Sequence, residues 1–188
     1  MPTTKDEIAR CFMGQVARFG YRRSNVDDVA RLLRVSKKTI YGHFPSKEAL
    51  YDYAVGQWAV EQRARVDAQM AETTPTGRLR EMVGLAFADA AAGFAATSPG
   101  EAWTQPPELL ARANEHVFAP WIRDVIVAGN EAGEFDVPDP DLTAAFCMAI
   151  AVEGMRQLAE GVRDNPVDEV TAAILRLVTS TLRRSEQS

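Results

Sequence analysis

Histidine is almost missing from this chain: His43 and His116 are the only two among 188 residues. His116 has Glu115 beside it but no further metal-ligating group at helical spacing, so no metal centre is expected. Cysteine is equally scarce, and Cys11 and Cys147 stand far apart in apolar contexts without zinc or redox spacing. Both are read as core residues of a protein in a reducing compartment. There is no glycine-rich phosphate loop and no nucleophile elbow. The paired carboxylates Asp27-Asp28 and Asp168-Glu169 lie at helix starts, where the positive end of the helix dipole accounts for them. The expectation is therefore a protein that is not an enzyme, with no catalytic residue, no metal and no resident cofactor.

Long apolar runs are missing too. The longest, Leu142 to Val152, lies between Asp141 and Glu153 and falls far short of the roughly 20 residues a membrane span needs. The opening Met-Pro-Thr-Thr-Lys-Asp-Glu has no apolar signal core. A soluble, cytoplasmic protein without membrane contact is expected. Alternating strand patterns and internal repeats are also lacking, whereas apolar residues recur at spacings of three and four throughout, so the expected fold class is all-α.

Charge is unevenly placed. The net charge of the chain is -5, but residues 1–58 hold ten Lys/Arg against six Asp/Glu, while residues 59–188 hold eleven against twenty. A basic front on an acidic body directs any polyanion to the front.

Within that front, Ile8, Phe12, Val16 and Phe19 mark one face of a first helix that Gly20 can end. Val26, Val29, Ala30 and Leu33 mark a short second helix, capped by Ser24 or Asn25. A turn around Leu33 to Val35 leads to a third helix that Pro45 ends. In this one Val35, Ile40 and Phe44 point inward, leaving Lys37, Lys38, Thr39, Tyr41 and His43 outside. Ser36 is placed to cap it, so the positive helix end and two lysines would meet phosphates or guanine edges in a major groove. Gly42, costly inside a helix, would let the backbone approach closely. Lys47 falls in the first turn of the next helix, capped by Ser46. This is a helix-turn-helix pattern, with Arg18, Arg22 and Arg23 flanking it.

From Gly20 to Leu50 the chain resembles the DNA-binding head of the TetR family of bacterial transcriptional regulators. The matching residues are Gly20-Tyr21, Ser24, Val26, Val29-Ala30, Val35-Ser36, Thr39-Ile40-Tyr41, His43-Phe44 and Ser46-Lys47-Glu48-Ala49-Leu50. The resemblance implies that Ser36, Lys37, Lys38, Thr39, Tyr41, Gly42, His43 and Lys47 lie at or near DNA, and Ser24 and Asn25 are candidates for phosphate. One departure is Leu33-Arg34, where the family's turn usually carries a small residue and a glycine. Arg34 would then adopt a left-handed conformation at a cost of about 1 kcal/mol or more.

Behind the head, a helix from Ser46 with no breaker before Thr73-Thr74-Pro75 would be shared by head and body, with a bend at Gly56. Further helices are expected from Thr76 or Gly77 to Ala96, from about Pro107 past a kink at Pro120, from Leu142 to Glu160, and from Val167 to Leu182, about nine in all. Thr97 to Gly100 reads as a loop, followed by Trp103 in a short connection. The expected division is a DNA-binding domain over residues 1–50 and a ligand-binding and dimerisation domain over residues 51–188.

The last two helices offer more apolar surface than one neighbour can bury. Ala145 and Ala149 on one, with Val170, Ile174, Leu177, Val178 and Thr181 on the other, could pair two copies as a four-helix bundle. The alternative is that these stripes pack inward within one chain. The family resemblance also implies dimerisation and an inducer pocket in the body. Met82, Phe87, Phe94, Trp103, Phe118, Trp121, Phe146 and Met155 could line it, with Glu153, Arg156 or His116 as polar anchors, although such residues at helical spacing also serve as plain core. The resulting expectation is a homodimeric, ligand-responsive repressor released from a palindromic DNA operator by a small-molecule inducer. The alternative is a DNA-bound adaptor whose body recruits a protein.

Overall fold

Each helix of the head is bounded by a residue whose chemistry ends or begins it. In the computed structural model, which describes residues 3–95, 113–160 and 167–182, α1 spans Lys5–Arg23. Thr4 caps it, accepting from the Glu7 amide while the Glu7 carboxylate accepts from the Thr4 amide. Gly20 breaks its geometry at φ 76°, ψ 158°, a conformation open to glycine and costly for other residues. One more turn, Tyr21 to Arg23, follows the break. Helix α2 (Val26–Leu33) is capped by Asn25, whose side chain accepts from the Asp28 amide at 2.8 Å. Ser36 caps α3 (Lys37–His43), and Ser46 caps α4 (Lys47–Gln69).

The turn between α2 and α3 takes the conformation that its lack of glycine made costly. Arg34 sits at φ 55°, ψ 40°, and Val35 N–H bonds the Ala30 carbonyl at 2.9 Å, which closes α2. Arg34→Gly should relieve about 1–2 kcal/mol of left-handed strain. It should return roughly 0.5–1 of that through the looser unfolded chain. A net stabilisation of about 0.5–1 kcal/mol in urea unfolding is the expected result.

The apolar positions of α1 to α4 close on one cluster, with Ile8, Phe12, Val29, Ile40, Leu50 and Tyr51 almost fully buried. This core continues past residue 50 into Ala54, Val55 and Ala59 of α4. Phe19 does not join it. The ring is 39% exposed, with the Arg18 guanidinium 5.0 Å from its centroid.

The body consists of α5 (Pro75–Ala95), α6 (Ala119–Glu131), α7 (Pro140–Glu160) and α8 (Val167–Leu182) around a second cluster that includes Leu79, Met82, Phe87, Trp121, Ile126 and Leu182. Ahead of α6, Asn114–Phe118 form a π-helical turn. Pro120 has no N–H for the carbonyl four residues back and crowds that carbonyl, so the wider turn ahead of it is the local answer to the expected kink. Asp139 caps α7 by accepting from the Leu142 amide at 3.0 Å. Helix α4 ends at Gln69, earlier than the breaker at Thr73 suggested, and passes through Gly56 as one helix. Thr97 to Gly100, Trp103, the start near Pro107 and the Phe94 side chain lie outside the residues described.

The two cores meet along α4. Ala113, Val117 and Phe118 pack on the head cluster, and Phe118 also packs on the body cluster. Trp58 of α4 meets the Phe118 ring edge to face at 6.1 Å. Lower on α4, Asp67 accepts from Trp121 Nε1 at 3.1 Å, and Arg63 lies 3.5 Å from Asp67 and 4.0 Å from Asp124. The two free thiols are internal, Cys147 buried and Cys11 half-buried, and burial pushes the Cys147 thiol up to about 11.

Candidate nucleic-acid interface

Helix α3 can present an outer face because Ile40 and Phe44, 1% and 2% exposed, anchor its inner one. The Ser36 hydroxyl accepts from the Thr39 amide at 3.0 Å, and the two hydroxyl oxygens lie 2.9 Å apart. Lys37, Lys38, Thr39, Tyr41, Gly42 and His43 are all exposed, forming one surface of cations, hydroxyls and an imidazole. A Cβ on Gly42 would meet nothing within 4 Å, so no contact inside the head calls for glycine there. Lys37 is not free on this surface: its ammonium lies 2.5 Å from Asp27 Oδ1, and that carboxylate holds the lysine above its ordinary pKa.

Two expected phosphate ligands sit differently from the sequence reading. Ser24 is 2% exposed, and its hydroxyl donates to the Gly20 carbonyl at 2.8 Å. It closes the break in α1 instead of facing outward, sharing the Gly20 carbonyl with the Ser24 amide, which bonds the same oxygen at 3.1 Å. The capping role falls to Asn25 alone, whose amide Nδ2 also donates to Asp28 Oδ2 at 2.7 Å. Lys47 is half-buried and turned inward. Its ammonium donates to the Tyr21 carbonyl at 2.7 Å and lies 4.1 Å from the Tyr21 ring centroid. Burial lowers its pKa. Tyr21 in turn stacks on Tyr51 at 4.6 Å and donates to Glu48 at 3.3 Å, so Lys47 fastens the start of α4 to the end of α1. Lys47→Met should destabilise the head by about 1 kcal/mol, the scale of a partly exposed hydrogen bond from a charged donor. Thermal unfolding checks this, since a lysine serving only phosphate would leave Tm unchanged.

The body residues divide along another line. Met82, Phe87 and Trp121 are 3%, 1% and 5% exposed and belong to the closed core. A Cβ on Gly154 would stand 2.4 Å from Ile174 Cδ1 and 2.9 Å from Phe87 Cε1, so the α7 backbone lies directly against those two side chains. Phe146, expected in the pocket, is instead 62% exposed on the outer face of α7. Phe118 lies between the two cores, Met155 is half-buried against the body core, and Trp103 lies outside the described residues. Glu153 is exposed and already satisfied by Arg156 at 2.6 Å and Gln157 at 2.7 Å. Those donors, Arg156 first, hold its carboxyl down to about 2.

An open groove of about 980 Å³ does exist, between α7 and α8. Its walls include Ala149, Val170, Ile174 and Leu177 from the expected pairing face, and Glu153 is its one member from the expected pocket set. Ile174 and Val178 are 5% and 3% exposed and face the chain's own core, which corrects their assignment to a pairing face. Ala145, Ala149, Leu177 and Thr181 remain exposed. Leu142 and Phe146 join them, 53% and 62% exposed. Their spacing of four, with Ala149 three further on, was the readable signal that they share a stripe.

Residues 14–54 match the model of the tetR family of bacterial regulatory proteins. YhgD of Bacillus subtilis (strain 168), described as an uncharacterized HTH-type transcriptional regulator, is 26% identical over 139 residues, 71% of this chain and 73% of that protein. The match covers the helix-turn-helix head, so the head is similar to that of the TetR family. Solved structures extend the likeness of fold beyond the head. A Saccharomonospora viridis protein in complex with choline superimposes with a TM-score of 0.69 at 22% identity, covering 96% of this chain and 98% of that one. The regulator FadR of Bacillus subtilis in complex with stearoyl-CoA gives 0.66 at 19%, covering 94% and 98%. Among the described residues no group of three or more His, Cys, Asp or Glu is placed to hold a metal ion, and no helix is long and apolar enough to cross a membrane.

Proposed function

We propose that this protein is a homodimeric repressor that binds a palindromic operator through two copies of α3 and releases it when a small molecule occupies the body. The observation that carries the reading is the exposed, serine-capped face of α3, mounted on a helix, α4, that belongs to both cores. Lys37, Lys38 and Thr39 serve base edges, while Tyr41, His43 and the exposed side of Asn25 serve phosphates. Gly42 lets the backbone come close to the duplex. The DNA-binding domain comprises residues 1–50 with the first turns of α4, and the remainder binds ligand and pairs. The exposed apolar stripe of α7 and α8 supports an isologous pairing face, which would set two recognition helices about one DNA turn, roughly 34–36 Å, or a multiple apart.

Ligand binding acts by favouring a body conformation whose heads no longer match the groove spacing. The contact of Phe118 with both cores supports that coupling. Choline and stearoyl-CoA, bound by two proteins of similar fold, differ greatly in size and polarity, so the fold itself sets no ligand class. Selection of duplexes from a random pool tests the reading. A two-fold symmetric consensus is expected, and recovery of no consensus would refute it. A ligand screen on the selected duplex then separates an inducer-released repressor, in which a metabolite lowers affinity, from an adaptor, in which none does.

A further inference from the structure

Helix α3 begins with two lysines and has no acidic residue in its first turn. Cations at that position oppose the helix dipole and each other. The missing carboxylate comes from another helix: Asp27, in the first turn of α2, reaches across so that its Oδ1 lies 2.5 Å from Lys37 Nζ. Its neighbour Asp28 stays within α2, bonded to Asn25 and 2.8 Å from Arg31. Asp27 is thus the acidic group that contacts the face meant for a polyanion. A carboxylate there repels phosphate whatever the base sequence, so by charge alone it works against binding.

The compensation lies in selectivity. We infer that Asp27 is a specificity-determining residue, which holds the Lys37 ammonium until a well-placed base-edge acceptor such as guanine O6 or N7 replaces it. The inference rests on the DNA-binding reading proposed above. The pair is exposed on both sides, 59% and 52%, so its hold is modest, and a phosphate at arbitrary register only exchanges one exposed ion pair for another. A fixed acceptor in the groove is a better exchange, and a partner that must be displaced therefore penalises wrong sequences more than right ones. Lys38, exposed beside it, supplies general attraction.

The test compares the wild type, Asp27→Asn, Asp27→Glu, Lys37→Met and the Asp27→Asn/Lys37→Met double variant. Each is measured by fluorescence anisotropy on the selected operator and on a random duplex of equal length, between about 50 and 200 mM salt. Asp27→Asn should bind the random duplex about 5-fold more tightly, with a salt slope steeper by about one counterion per head. Its operator affinity should rise no more than about 2-fold, so discrimination falls. Asp27→Glu should restore discrimination, and in the Lys37→Met background Asp27→Asn should leave it unchanged. The Asn25–Asp28 cap remains in every variant, and Asp27→Ser serves the same comparison if circular dichroism shows Asp27→Asn unfolded. Equal tightening on both duplexes would overturn the inference while leaving the regulator reading intact. A wild type that selects no sequence would overturn both.

Discussion

Replacing Phe146 and Leu177 together by glutamate should convert the proposed dimer to a monomer in sedimentation velocity at micromolar concentration and weaken binding to the proposed operator by about 100-fold or more. The two side chains are 62% and 57% exposed, on α7 and α8 respectively, and Leu142, four residues before Phe146 on α7, is 53% exposed. Covering a side chain of this size stabilises an assembly by roughly 1.5–3 kcal/mol, and two-fold symmetry counts each residue twice. Four buried carboxylates in their place would each need a partner that an apolar stripe does not offer. Both positions point away from the chain's own core, so the fold of each copy should survive. The loss of DNA affinity follows because a single head keeps only one half-site, without the high effective concentration that linkage gives the second. A variant that stays dimeric would move the pairing face elsewhere.

Gly129→Ala should cost about 3 kcal/mol, at the upper end of overpacking penalties. For a chain of this length that is a fall in Tm of about 6–12 °C. A Cβ at position 129 would stand 1.9 Å from Phe135 Cδ2 and 2.3 Å from Cε2, inside the ring's own volume. The ring has no room to retreat, since Phe135 is 4% exposed in the body core. The backbone cannot retreat easily either. The amides of Glu134 and Phe135 both bond the Gly129 carbonyl, at 2.9 and 3.1 Å. Asn130 grips Val137 through both its backbone groups, and Asp136 N–H bonds the Leu182 carbonyl at 3.1 Å. Gly154→Ala should be milder, because the nearest atom to its Cβ is the movable end of Ile174. A Gly129→Ala protein with unchanged Tm in differential scanning calorimetry would show that this turn yields more readily than its hydrogen bonds suggest.

The positions where sequence reading and structure diverge share a cause. Ser24 and Lys47 are residue types that commonly meet phosphate, and nothing local to them reveals that the Gly20 and Tyr21 carbonyls would claim their donors. That demand arises only when α1 breaks and α4 packs beside it. Asp27 likewise read as an ordinary first-turn carboxylate, because its distance from Lys37 is a property of how α2 crosses α3. Hydrophobicity alone suits Phe146 equally to a pocket or to an outer face. Periodicity gives a helix its apolar positions but not the direction in which each stripe faces when helices have two apolar sides, as α7 and α8 do.

By itself the order of residues determined the all-helical class, the helix-turn-helix, the serine caps of α3 and α4 and the left-handed turn at Arg34. Each of these depends on contacts within a few residues, where hydrogen-bond geometry and steric allowance are local. Only the tertiary arrangement decided which cations stay exposed on the outer face of α3, which apolar residues of α7 and α8 stay uncovered, and how Phe118 joins the two cores. Those outcomes depend on which surfaces reach each other across dozens of residues, and long-range packing assigns partners that spacing along the chain does not encode.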